Sequence, residues 1–225
     1  MIFSPQRNFC FIHVPKTGGT SIEYAYSQAV AFGDIILDGS PGTMSRFYLE
    51  TLNLGRHASA WQIADIVGLV AFQSMFSVAV IRDPVERMIS YFRWIQSFEH
   101  QGDIEKRLKR IRDFHEFIEP AAESLAPQVN FVSDPVSGEK LAQILIPYTH
   151  LNEGWSAISD LLGITFPLEH RNKSLVPDVT ATNKAKDRIL DQYVKDGALY
   201  QRAKKFWDSC QSGSGLKIGG FLKCS

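Results

Sequence analysis

The residues with the greatest chemical reach are gathered in the run Pro15-Lys16-Thr17-Gly18-Gly19-Thr20-Ser21. Glycines let the backbone curl closely around an anion, and the N–H groups that open a helix point at it. Lys16 adds a full positive charge, and Thr17, Thr20 and Ser21 add hydroxyl donors. The run is not a Walker A loop. That motif, G-x-x-x-x-G-K-S/T, has its lysine after the second glycine and works with a metal-binding Asp, which is not evident here. A second run, Arg82-Asp83-Pro84-Val85-Glu86-Arg87, is followed by Ser90 and Tyr91. Arg82 closes an apolar stretch, at the edge where open α/β sheets bind ligands. Strand, turn and helix bring Arg82 and Ser90 together, and a guanidinium beside a hydroxyl makes a second phosphate site. Glu86 and Arg87 read as a surface ion pair.

These groups need elements to hold them. Phe9 to Val14 (FCFIHV) is almost wholly apolar and ends at Pro15, which predicts a buried strand before the glycine turn. Helix-compatible residues run from Thr20 to Phe32. Asp38 to Thr43 (DGSPGT) reads as loop, and Leu52 to Leu54 as a short second strand before Gly55-Arg56-His57. Ser59 is placed to cap a helix through Val67. Phe76 to Ile81 (FSVAVI) is the next buried strand, and Pro84 opens a helix through Phe98. A charged helix is expected over Asp103 to Ile118, and a third apolar run covers Gln143 to Tyr148. Asn152 caps a helix from Glu153 to Leu162, closed by Gly163. His170 to Val176 is a polar loop. Thr182 to Trp207 forms one or two helices broken near Gly197, and Ser212 to Gly220 is a frayed tail. Strands alternating with helices predict an α/β fold, P-loop-like and three-layered, with a mainly parallel sheet flanked by helices. Residues 1–211 are expected to form one domain, with 212–225 a flexible tail.

Composition narrows the partners. Among 225 residues, Lys+Arg and Asp+Glu both number 24, which argues against a general nucleic-acid binder. Positive charge is nevertheless concentrated between Arg82 and Arg112, with eight basic against five acidic residues. Cys10, Cys210 and Cys224 follow no metal-ligand spacing, and Cys10 reads as a small buried hydrophobe; reduced thiols in a cytoplasm are favoured over a Cys210–Cys224 disulfide. The six histidines show no ligand pattern, so no metal is expected. With no signal-like or membrane-length apolar run, the chain is expected to be soluble and cytoplasmic.

Two anion sites at two strand ends call for a ligand with separated anionic groups. Residues 11–21 (FIHVPKTGGTS) and 80–91 (VIRDPVERMISY) resemble the 5′-phosphosulfate and 3′-phosphate motifs of the sulfotransferases that use 3′-phosphoadenosine 5′-phosphosulfate (PAPS). They are most similar to the branch that includes carbohydrate and heparan sulfate enzymes. Weaker similarity extends to Pro127-Gln128, the Asn152 to Gly163 helix, His170 to Ser174 and the Tyr193 to Tyr200 helix. The resemblance implies in-line displacement at sulfur, with Lys16 stabilising charge on the bridging oxygen. It implies that Lys16 and the Thr17-Gly18-Gly19-Thr20-Ser21 backbone hold the 5′ phosphate, and that Arg82 and Ser90 hold the 3′ phosphate. His57 stands where relatives carry a histidine base, which suits a proton acceptor titrating near neutrality. Glu23 is the alternative base, and His13 reads as a strand residue packed under the loop. Arg171, Lys173 and Ser174 are candidates to close over the nucleotide. Trp61, Tyr91, Phe92 and Trp94 are candidates to stack on a sugar, although helix packing accounts for such residues equally. The acceptor is expected to be a small molecule or glycan. The rival readings are a nucleotide-dependent kinase and a non-catalytic nucleotide- or glycan-binding protein.

Overall fold

The computed structural model describes residues 1–38, 43–99, 102–169 and 179–211. Five strands form one mixed sheet: β1 (Ile2–Ser4), β2 (Phe9–Ile12), β3 (Ile35–Ile36), β4 (Phe76–Ile81) and β5 (Ile144–Pro147), in the spatial order β3-β1-β2-β4-β5. The half that matters for function, β2-β4-β5, is parallel, while β1 runs antiparallel to both its neighbours.

Alternation along the central strands divides the core. Phe9 and Phe11 of β2, with Val78 and Val80 of β4, face one layer of helices; Cys10 and Ile12, with Ala79 and Ile81, face the other. Both faces are apolar, as parallel strands covered on two sides require. The first layer contains α1 (Gly19–Ser27) and α9 (Leu151–Leu162), through Ile22, Tyr26, Trp155 and Ile158. The second contains α3 (Ala60–Val67), α4 (Leu69–Ser74), the short α8 (Val129–Val132) and part of α11 (Val194–Gln211). A separate helical cluster joins α5 (Pro84–Ser97), α6 (Asp103–Lys109), α7 (Phe114–Ala122) and α10 (Asn183–Gln192) around Met88, Phe92, Phe117 and Ile189.

The three-layer α/β expectation holds, with local corrections. Leu52 to Leu54 is no strand: Leu52 ends α2 (Thr43–Leu52), and the edge strand is Ile35–Ile36. The charged stretch after Asp103 is two helices, because Asp113 turns its carboxylate to the backbone N–H groups of His115 and Glu116 and starts α7. Asn152 lies inside α9, which is preceded by a 3-10 turn at Tyr148–His150. The break in the last helical stretch falls at Tyr193 rather than Gly197. Three details match. Ser59 and Gln62 form a reciprocal capping box, Pro84 stands in the first turn of α5 with Asp83 as cap, and Gly163 ends α9 at φ 66°. The loop at 170–176, with Arg171, Lys173 and Ser174, and the tail at 212–225 lie outside the described residues.

Candidate active site

The Lys16 loop joins β2 to α1 over the carboxyl ends of the parallel strands. Lys16 itself has φ 66°, an unfavourable left-handed conformation for a side-chain-bearing residue, and Gly18 at φ 89° caps the helix. The loop tolerates no extra atoms. A Cβ on Gly19 would sit 2.3 Å from the His13 ring, and one on Gly18 would sit 2.9 Å from the Tyr148 ring. First-turn N–H groups of a helix have no intrahelical acceptor, and here the turn leads out of a glycine pair shaped for close approach.

The hydroxyls divide their work. Thr17 is buried and donates to the Val14 carbonyl at 2.8 Å, so its side chain closes the loop. Ser21 is also buried, and its N–H returns to the Gly18 carbonyl at 3.0 Å. Thr20 accepts a hydrogen bond from Arg56 Nη2 at 2.8 Å, which leaves its own proton able to meet an anion.

Beneath the loop lies a charged network that patterning alone did not reveal. Glu23 is 3% exposed, on the inner side of α1. It accepts from the Met1 amino nitrogen at 2.8 Å, from Arg56 Nε and Nη2 at 3.0 and 2.7 Å, and from His13 Nδ1 at 2.6 Å. Burial pushes its carboxyl up, but these donors outweigh that and hold it at about 2. Glu23, the alternative base, therefore faces inward on α1 and is occupied by cations. Desolvation pushes His13 down to about 4, so the ring is neutral at pH 7. With the Nδ1 proton committed to Glu23, the 3.3 Å approach of Arg56 Nε to the same atom is no hydrogen bond.

His57 follows α2 rather than a strand. Its Nδ1 lies 2.8 Å from the His13 carbonyl, and its ring stands edge-on to the His13 ring with centroids 4.7 Å apart. A carbonyl only accepts, so Nδ1 carries the proton and Nε2 keeps its lone pair. Desolvation, then the neighbouring His13, lowers the His57 pKa. His57 is nevertheless exposed, so that fall is smaller than a buried ring would show. A neutral, oriented imidazole thus stands tied to the first residue after β2.

Arg82 leaves β4 beside this loop. Its guanidinium lies over the Tyr148 ring at 4.3 Å, and the same ring packs against Gly18, so Tyr148 separates and orients the two motifs. Its ion pair with Glu86 is long, 3.6 Å, and Glu86 is exposed. Ser90 is half-buried on α5, and its hydroxyl takes no hydrogen bond among the described residues. Arg87 differs most from expectation. It is 1% exposed, not a surface ion-pair partner of Glu86, and donates Nε to the Pro15 carbonyl at 2.9 Å.

The Lys16 ammonium lies 4.6 Å from the Trp94 ring centroid, and the indole stacks on Tyr91. Desolvation, and then the charges of Arg82, Arg56 and Arg87, push Lys16 down to about 7. An anion against this cluster would relieve that repulsion, and the residues present fit a ligand with two phosphate-like ends. Tyr91 and Phe92 are packed inside the helical cluster, and Trp61 sits on the outer side of α3. Along α1 runs an open cleft of about 450 Å³, bounded by Thr20, Glu23, Tyr24, Ser27, Asp38 and Arg56.

A sheet with an anion-shaped loop at one parallel strand end and an arginine at the next defines a P-loop-like group-transfer enzyme. The sulfotransferase family model matches residues 1–208, and the chain belongs to that PAPS-dependent family. No curated protein matches the sequence. Among the described residues, no helix is long and apolar enough to cross a membrane.

Proposed function

We propose that this sulfotransferase moves the sulfuryl group of PAPS to a hydroxyl on a carbohydrate or glycoconjugate, by in-line displacement. The observation that carries the reading is the pairing of Lys16 and Arg82 at the ends of adjacent parallel strands, where the charges of Arg82, Arg56 and Arg87 crowd the Lys16 ammonium. The backbone from Thr17 to Ser21 would wrap the 5′ phosphate, through the Thr20 hydroxyl and those N–H groups not already spent inside the loop, and Arg82 with Ser90 would hold the 3′ phosphate. His57 Nε2 takes the acceptor proton as its oxygen attacks sulfur. The S–O bond to the nucleotide breaks, and Lys16 meets the charge that develops on the departing phosphate oxygen. Glu23 is a poor base in this scheme, since its carboxylate is ionised but wrapped in donors. The cleft along α1 favours a sugar acceptor: it is lined by hydroxyls and carboxylates beside Thr20 and Arg56.

Calorimetric titration with 3′,5′-adenosine bisphosphate, 5′-AMP and ATP–Mg²⁺ tests the nucleotide half. Binding that depends on the 3′ phosphate supports the reading, whereas a preference for ATP–Mg²⁺ overturns it in favour of phosphoryl transfer. Bisphosphate release across a panel of glycosides, phenols and simple alcohols tests the acceptor. Turnover confined to non-sugar alcohols would remove the carbohydrate assignment.

A further inference from the structure

One buried carboxylate holds both anion subsites in place. Asp196, on α11, is fully buried and accepts from the backbone N–H groups of Gln128 at 2.7 Å and Val129 at 3.0 Å. Gln128, equally buried, turns its side-chain amide to the residue that follows β4. Its Oε1 accepts from the Arg82 N–H at 2.8 Å, and its Nε2 donates to the Arg82 carbonyl at 2.7 Å. Those two bonds imitate one rung of a strand pairing, and they fix the backbone from which the Arg82 side chain springs. Asp196 also lies 3.7 Å from Arg87 Nη1. Arg87 in turn holds the Pro15 carbonyl and, through Nη2 at 3.0 Å, the Ala126 carbonyl. One arm of the network therefore ends on the Lys16 loop and the other on Arg82. Burial pushes the Asp196 carboxyl up, against the two N–H donors and Arg87, which is what a carboxylate held inside a core for its contacts experiences.

We propose that Asp196 and Gln128 are positioning residues that set the separation and register of the two subsites, so that one ligand engages both at once. The proposal rests on the PAPS reading above. A ligand with two ends gains from simultaneous engagement only when the spacing is held; if it drifts, each end still binds but the joint gain is lost. Gln128 and Asp196 touch neither end themselves. Their removal therefore acts on the advantage of bisphosphate over monophosphate rather than on phosphate binding as such.

The test compares full-length wild type, Asp196→Asn and Gln128→Ala by titration with 3′,5′-adenosine bisphosphate and with 5′-AMP, alongside thermal melts. In Asp196→Asn an amide cannot serve both N–H donors, and Arg87 loses its counter-charge. Gln128→Ala keeps the backbone N–H that Asp196 holds and deletes only the pairing with Arg82. It thus serves as the readable variant if Asp196→Asn does not fold. The expected result is a cooperative melt, a 5′-AMP affinity within about threefold of wild type, and a bisphosphate preference reduced by about tenfold or more. Equal loss for both nucleotides would mean a merely structural role, and an unchanged preference would mean no role; either overturns the proposal. A wild type without bisphosphate preference removes the PAPS reading and the proposal together, which separates the two failures.

Discussion

The two proposed anion subsites are built in opposite ways. The Lys16 loop is made almost entirely from neighbouring residues: two glycines, a strained lysine backbone and a helix start, closed by Thr17 onto Val14 only three residues earlier. The Arg82 subsite is two side chains from separate places, Arg82 just past the end of a strand and Ser90 on α5. Its backbone is gripped from Gln128, its ring platform comes from Tyr148, and its anchor Asp196 lies on α11. Local geometry suffices for an anion cradle because backbone N–H groups come with the helix. A guanidinium has a long, flexible stem, so aiming it requires support from several elements.

Breaking the two subsites separately gives different signatures. The largest effect belongs to His57, which is tied to the cradle side through the His13 carbonyl. His57→Ala should reduce turnover by about 10² to 10⁴-fold, with bisphosphate affinity within about twofold of wild type. Stopped-flow turnover and calorimetry together check this, and an active variant moves the base elsewhere. Lys16→Ala should lower kcat by about 10² to 10³-fold while weakening product nucleotide far less. A loss confined to affinity would remove Lys16 from the chemistry.

Arg82→Ala should act on binding instead, by about 10- to 100-fold for 3′,5′-adenosine bisphosphate and little for 5′-AMP. Equal losses would dissolve the distinction between the subsites. Smaller again is the pH dependence. In the free protein Lys16 titrates at about 7, and a bound anion raises that value, so the complex holds more protons. The Lys16 contribution to bisphosphate affinity, taken as the difference from Lys16→Met so that the ligand's own phosphate titration cancels, should therefore be flat below pH 6 and fall with rising pH, by at most about tenfold per unit, until the lysine titrates in the complex. Titrations of both proteins across this range check it. The smallest effect is expected for Ser90→Ala, about two- to tenfold on bisphosphate affinity alone.

The same contrast explains what the sequence made legible. The cradle, the two central strands, the Ser59 cap and the Pro84 start are local patterns, and all were readable from short windows. Arg87 was misread because its partners, Pro15, Ala126 and Asp196, are remote in sequence, and a charged helix residue ordinarily faces water. The burial of Glu23 was not legible for a similar reason: a carboxylate on an inner helix face is costly without cations, and its cations arrive from Met1 and Arg56. The short β3 escaped because two residues carry no period. Asp196 had no signal at all, since nothing in Val194–Gln211 marks one of its acidic residues as fully buried.

The position of Asp196 also has a temporal side. A ribosome delivers the cradle before α11, and a nascent chain that has emerged through β5 already carries every motif residue. Such a chain lacks the carboxylate on which the two arms meet, because Asp196 follows Gln128 by 68 residues. Contacts of that span form late and slowly. On the proposed arrangement, competence to grasp a two-ended nucleotide comes only once α11 has been made, and a ligand added to a refolding mixture should accelerate none of the early steps.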